Sequence, residues 1–227
     1  MAPSSKRRLG IAAGALLGVT AAIGALHAPF ARSLLMRLGG CPLAGASKMT
    51  PVEMERARHI AAEARGTESA PARPALLFVL DSSTLADVHA WAARTHADCE
   101  DPHPGLVLCK NVTPEALGLD PAVGSIDTLA LGFDTQSRLV NESTLREHLS
   151  AERASRTARG IVASLQSKLG PAERRSGTFD TAALARPGAA GISTAAFRFS
   201  DYLADVSTTN LGPTGPLLRE HYMSARD

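Results

Sequence analysis

Three histidines and three carboxylates crowd one short stretch of the chain: His89, His96, Asp98, Glu100, Asp101 and His103. Imidazoles and carboxylates are the side chains that hold zinc and related transition metals, and a metal-bound water is a ready hydrolytic nucleophile. If the helix expected before them extends that far, His89 and His96 share a face two turns apart. With Asp98 and His103 they form the candidate ligand set of a metal-assisted hydrolase. Their spacing matches no metal motif, however, and a polar hairpin tip collects the same residue types without binding anything. Other chemistries lack their residues. No Gly-x-Ser-x-Gly sets a serine on a tight strand-to-helix turn, and Ser82 and Ser83, which do stand at such a junction, are accounted for as helix caps. The phosphate-cradling Gly-x-x-x-x-Gly-Lys pattern is absent. Asn111-Val112-Thr113 and Asn141-Glu142-Ser143 are glycosylation sequons with meaning only in a eukaryotic secretory setting. No catalytic residue and no cofactor is expected.

Two of the three cysteines point to a bond. Cys99 and Cys109 flank Asp101-Pro102-His103-Pro104-Gly105, which is strong turn chemistry, so they are placed to face each other across a hairpin. A disulfide there would close a loop of about ten residues, stabilise by roughly 2.5 to 3 kcal/mol, and persist only in an oxidising compartment. The alternative is a pair of small buried thiols. Cys41 is left over. It ends Leu38-Gly39-Gly40-Cys41, which resembles the lipobox of bacterial lipoproteins and makes Cys41 a candidate lipidation site, although Arg32 and Arg37 interrupt the approach to it.

Lys6, Arg7 and Arg8 precede an uncharged stretch over residues 9–26 that would be about 27 Å long as a helix, enough to cross a bilayer. The stretch ends in Leu26, His27 and Ala28 before Pro29, a poor site for signal cleavage. The expectation is therefore an uncleaved anchor over residues 9–31, with residues 1–8 cytoplasmic and the rest on the periplasmic or extracytoplasmic side. A cleaved signal and a lipoprotein are the alternatives. Gly10, Gly14 and Gly18 fall on one face of that helix, where a second helix could pack, though Ala/Gly-rich segments also produce this spacing by chance.

These residues need a scaffold, and composition permits one. An apolar fraction of 44% with 20% charged residues suffices for a packed core, while 4% aromatics argues for aliphatic packing over a ring-lined cofactor pocket. A net charge of +2 with intermixed signs leaves no electrostatic footprint for nucleic acid. Thr50-Pro51-Val52-Glu53 starts a juxtamembrane helix to about Arg65, residues 66–74 read as a linker, and the exported domain covers 75–227. Within it, residues 76–80 form a short apolar run expected as a buried strand. Ser82-Ser83-Thr84 caps a helix to about Thr95 that buries Val88, Trp91 and Ala92. Alternation over residues 125–133 puts Leu129, Leu131 and Phe133 on one strand face. The strongest helical period runs over residues 150–169 and stops at Gly170-Pro171, its other face carrying Arg153, Arg156, Arg159 and Lys168. Residues 174–192 read as irregular. A final strand pair follows, with a break near Ser200-Asp201 because Phe197 and Phe199 differ in parity from Tyr202, Ala204 and Val206. The summed order gives an α+β fold: an antiparallel sheet with two main helices packed on it, preceded by the transmembrane and juxtamembrane helices.

Phe78-Val79-Leu80, Ser83-Thr84-Leu85-Ala86-Asp87-Val88 and Leu131-Gly132-Phe133-Asp134-Thr135-Gln136-Ser137-Arg138-Leu139 together resemble envelope modules of the SmpA/OmlA and β-lactamase inhibitory protein types. Those modules set a capped helix before a meander with a Phe-Asp-x-x-Gly-Arg-Leu-like turn. Here Ser137 stands for the glycine, and the tyrosine-rich strand is missing. The chain as a whole is similar to membrane-anchored envelope proteins of high-GC Gram-negative bacteria. The resemblance implies a non-enzymatic binding or scaffolding role. For an envelope protein as partner the expected contact surface is the terminal strand pair, where Phe197, Phe199, Tyr202 and Tyr222 hold much of the small aromatic stock; the alternative is that these rings are core, which the alternating spacing favours for Phe197 and Phe199.

Overall fold

The first described helix shows how local chemistry starts the fold. In the computed structural model, which describes residues 65–187 and 192–226, Thr84 N-caps helix α1 (Leu85–Thr95) and Asp87 closes a capping box with it. The Asp87 carboxylate accepts from the Thr84 backbone N–H and hydroxyl, both at 2.8 Å, and these bonds hold its pKa below the usual carboxylate range. His96 ends the helix in the left-handed region at φ 54°. Strands β1 (Asp98–His103), β2 (Leu106–Val112), β3 (Ile126–Phe133) and β4 (Leu139–Arg146) follow as an antiparallel meander.

Helix α2 (Ala151–Leu169) then carries the chain from β4 to the far edge of the sheet. Ser150 caps its start, and Gly170, at φ 84°, ends it. A second meander runs back through β5 (Arg174–Ser176), the short helix α3 (Thr181–Leu184), β6 (Ser193–Arg198), β7 (Tyr202–Asn210) and β8 (Pro216–Ser224). The result is one eight-stranded antiparallel sheet in the order β1-β2-β3-β4-β8-β7-β6-β5. Each half is a helix followed by four strands, and the halves join where β4 pairs with β8, from Asn141↔Met223 to Arg146↔Leu218.

Alternation decides what lies inside. Leu129, Leu131 and Phe133 of β3 join Val107 and Cys109 of β2, Phe197 of β6, Tyr202, Ala204 and Val206 of β7, and Leu218 and Tyr222 of β8 in one buried cluster. Val88 and Trp91 of α1 and Ala158, Val162, Leu165 and Leu169 of α2 belong to the same cluster, so both helices cover the same sheet face. Phe78 meets Trp91 edge-on, with centroids 5.4 Å apart. The opposite face carries a polar chain: Arg198 donates to Asp205 at 2.6 Å, Arg219 to Ser143 at 3.2 Å, and His221 Nε2 lies 2.9 Å from the Asn141 side-chain oxygen.

The α+β expectation holds, and three local expectations are corrected. Residues 76–80 are not a strand: Phe78 and Leu80 are buried and Leu77 and Val79 exposed, yet the Val79 carbonyl closes a turn onto the N–H groups of Ser82 and Ser83. Residues 66–74 are no free linker but a strap. Ser200 N–H donates to the Glu68 carbonyl at 2.7 Å, Ala70 N–H to Asp201 at 2.9 Å, and Gly66 lies so close that a Cβ would stand 2.4 Å from the Arg198 carbonyl. The stretch over residues 174–192 is mostly irregular, as expected, and holds only the short β5 and α3. The break at Ser200-Asp201 is a full hairpin between β6 and β7, so the last strands number three; Phe197 is core, as its alternating spacing favoured, and Tyr202 and Tyr222 are buried with it and not on an exposed contact surface. Among the described residues no helix is long and apolar enough to cross a membrane. The segment over residues 9–31, Gly10, Gly14, Gly18, Cys41 and the helix begun at Thr50 lie outside the described residues.

Candidate binding cleft

The seam between the two halves is polar where a core is normally apolar. On the helix-covered face, β4 presents Glu142, Thr144 and Arg146 and β8 presents Glu220 and Tyr222, all buried. Cross-strand register sets Glu142 opposite Tyr222 and Thr144 opposite Glu220. Glu220 is fully served: Arg146 pairs with its Oε1, Thr144 Oγ1 donates to the same oxygen at 3.1 Å, and the Tyr222 hydroxyl donates to Oε2 at 2.6 Å. Burial raises the pKa of the Tyr222 hydroxyl, with the Glu220 charge adding to the effect, so it stays a donor.

Glu142 is served poorly. Among the described residues its Oε2 accepts only the Leu76 N–H, at 3.4 Å, and its Oε1 has no partner. Burial pushes its pKa up to about 8; the Leu76 N–H acts against that and the Glu220 charge adds to it. At neutral pH this carboxyl is predominantly protonated.

A cleft of about 420 Å³ opens over this seam. Thr157, Gly160, Ile161, Ser164, Leu165 and Lys168 of α2 form one wall, the strap residues Pro74, Ala75 and Leu76 another, and Leu119 and Val123 from the β2–β3 connection a third. Glu220 and Tyr222 reach its floor, and Arg156 joins Lys168 at the mouth. Tyr202 fastens the strap by donating its hydroxyl to the Pro74 carbonyl. Gly160 is informative. A mid-helix glycine costs roughly 1 kcal/mol relative to alanine, and a Cβ added here would meet nothing within 4 Å. Packing does not demand the glycine; it leaves the cleft wall bare.

The residues singled out from the sequence lie elsewhere. Cys99 stands directly opposite Cys109 in the β1–β2 ladder, and the two sulfurs are bonded at 2.05 Å. His89 Nε2 lies 3.2 Å from Asp101 Oδ1, and with His96 they line a shallow depression of about 580 Å³ beside Cys99. Asp98 instead takes its place opposite Lys110 at the sheet edge, and His103 turns Nδ1 toward the Pro104 carbonyl at 3.4 Å. The four candidate metal ligands do not converge. Among the described residues no group of three or more His, Cys, Asp or Glu side chains is placed to hold an ion. His89 and His96 belong to α1 and its C-cap while Asp98 and His103 lie at opposite ends of β1, whereas the hydrolase reading needs all four on one point.

The seam residues escaped the sequence because Asn141-Glu142-Ser143-Thr144 is polar at both parities, so alternation marks no inward face. The one usable signal is a glycine, Gly160, inside the strongest helix.

Comparison with known proteins adds little. No protein-family model matches the chain, and no curated protein is similar to it in sequence. Among solved structures, the crystal structure of a DUF4309 family protein (YjgB) from Bacillus subtilis subsp. subtilis str. 168 aligns with 74% of this chain and 92% of its own. The identity is 12% and the TM-score 0.31, too low to establish even a shared fold.

Proposed function

We propose that this chain is a non-enzymatic binding module of the cell envelope, tethered by its N-terminal apolar segment, that takes a small ligand in the cleft between α2 and the β4–β8 seam. The carrying observation is the cleft itself: a concave site at the junction of two halves, mostly apolar in its walls, with buried ionisable groups converging on its floor. Nothing on that floor is arranged as a nucleophile with its base, because Glu220 is committed to Arg146, Thr144 and Tyr222. The Cys99–Cys109 disulfide supports the export side of the reading, since such a bond persists in an oxidising compartment.

Gly160→Trp tests the proposal, because the indole would project into the cleft without meeting backbone. The full chain and the variant, both purified in detergent and incubated with a small-molecule extract of the cells that make them, are compared by native mass spectrometry. The wild type is expected to carry a bound species that the variant lacks. Identical spectra from two equally folded proteins would overturn the cleft as the binding site.

A further inference from the structure

The sheet has a second buried patch, on the face that α1 and α2 leave alone. One cross-strand row of that face runs from Arg198 of β6 through Leu203, Met223, Asn141 and Gly132 to Leu106 of β2, each residue paired with the next. Its apolar members are shut off from water: Leu203 is 6%, Met223 5% and Leu106 2% exposed, and Gly132 is buried with them. One row along the same face, Leu108, Ala130, Ser143, His221 and Asp205 are only half-buried, and one row further Lys110 is exposed. What excludes the water is therefore narrow and lies across the strands. It is neither main helix, because α1 and α2 pack on the opposite face, and Leu203, Met223 and Ala225 form a cluster apart from the main core. Beyond Leu106 the row ends at His103 of the edge strand β1, whose Nε2 is buried with no partner among the described residues.

We propose that this row is the docking surface for the chain's own residues 50–64, laid across six strands as an amphipathic helix. The chain enters the described domain at this patch: Arg65 donates to the Ala225 carbonyl at 3.1 Å, and Gly66 abuts Arg198 at the start of the row. Length fits, since 15 residues of helix span about 22 Å and the five strand spacings from β6 to β2 span about 24 Å. The pattern fits as well. Met54, Ala57, Ile60, Ala61 and Ala64 recur at three- and four-residue steps and make one apolar side, which Arg65 continues four residues after Ala61. Glu55, Arg56, His59 and Glu63 fall on the other side, where they would meet water. Counting back from Gly66 at β6, about six residues reach β8 and about 13 reach β3. Ala61 then stands over the large Met223, and Met54 over Gly132, which has no side chain to oppose it. The folded unit accordingly begins at residue 50, the sheet is covered on both faces, and an envelope partner is left with the sheet edges and the cleft side.

Disulfide trapping in the full chain, purified in detergent with Cys41→Ser, tests the contact. Met223→Cys is combined in turn with Ala57→Cys, Ile60→Cys or Ala61→Cys on the apolar side, and with Arg56→Cys or Glu63→Cys on the other. At least one apolar-side pair is expected to bond within the chain about tenfold or more faster than either outer pair, because cysteines whose Cα atoms stand more than roughly 7 Å apart cannot be bridged. Equal rates on the two sides overturn the proposal. So does the absence of a bond from every apolar-side pair, the result expected if the helix lies on the bilayer instead. A bond that joins two chains also overturns it, by making a second copy the occupant. Ala61→Arg gives a readout that needs no new cysteine: with the near-UV signal of Trp91 retained, peroxide oxidation of Met223 is expected to quicken about tenfold as the cover lifts. Met223 protected as well as in the wild type overturns the proposal.

Discussion

Glu142 and His221 sit on the two faces of the same β4–β8 ladder and pull stability in opposite directions with pH. Burial raises the Glu142 pKa from 4.5 to about 8, so its contribution is complete below pH 4.5 and is lost as pH rises toward 8. Burial, with the charges of Arg219 and Arg198, depresses the His221 pKa from 6.5 to about 3, so its contribution is complete above pH 6.5 and is lost as pH falls toward 3. Between pH 4.5 and 6.5 the two slopes cancel. Denaturant melts across pH are therefore expected to show a plateau there, with stability falling on both sides; Glu142→Gln should flatten the alkaline limb and, with the opposing slope gone, turn the plateau into a rise from pH 4.5 to 6.5, leaving the limb below pH 4.5 as it was. An alkaline limb unchanged by that substitution would show that Glu142 titrates normally in the folded protein. Ser137 supplies a second residue-scale test. It occupies the left-handed region at φ 57° in the turn between β3 and β4, a conformation that disfavours a side chain by about 1 kcal/mol. Ser137→Gly is expected to stabilise by about 0.5 kcal/mol after the added unfolded-state freedom is subtracted, and Ser137→Val to destabilise, both read from denaturant midpoints.

Helix α2 shows what an element's own pattern conveys. Its cap, its apolar stripe through Ala154, Ala158, Val162, Leu165 and Leu169, and its Gly170 stop were legible because each signal acts within one or two turns. The same holds for α1, and for β3 with its buried odd-numbered row. What the stripe does not convey is which flank of the helix stays uncovered: the polar face read from Arg153, Arg156, Arg159 and Lys168 does not single out Thr157, Gly160 and Ser164 as a cleft wall. Gly160→Ala is expected to raise stability by about 0.5–1 kcal/mol, because helix propensity improves and the new methyl meets nothing. A loss of stability in thermal or denaturant melts would mean that the wall at Gly160 is closed in solution.

For the whole molecule, the apolar segment over residues 9–31 is expected to remain in the mature protein. Fractionation and N-terminal sequencing check this: a soluble product beginning between residues 22 and 32 would replace the anchor with a cleaved signal, and an acylated Cys41 at the terminus would replace it with a lipoprotein. The sequence by itself determined the α+β class, both main helices and the β1–β2 hairpin, and it favoured the pairing of Cys99 with Cys109, since a turn between two cysteines only ten positions apart sets them face to face. Tertiary structure alone decided the strap over residues 66–74, the junction of the two halves, and the cleft. These rest on contacts such as Thr144 with Glu220, 76 positions apart. Periodicity states that a strand has an inward face, not which strand lies beside it. A carboxylate such as Glu142 has the signature of a surface residue until the neighbouring strand and the covering helix remove its water.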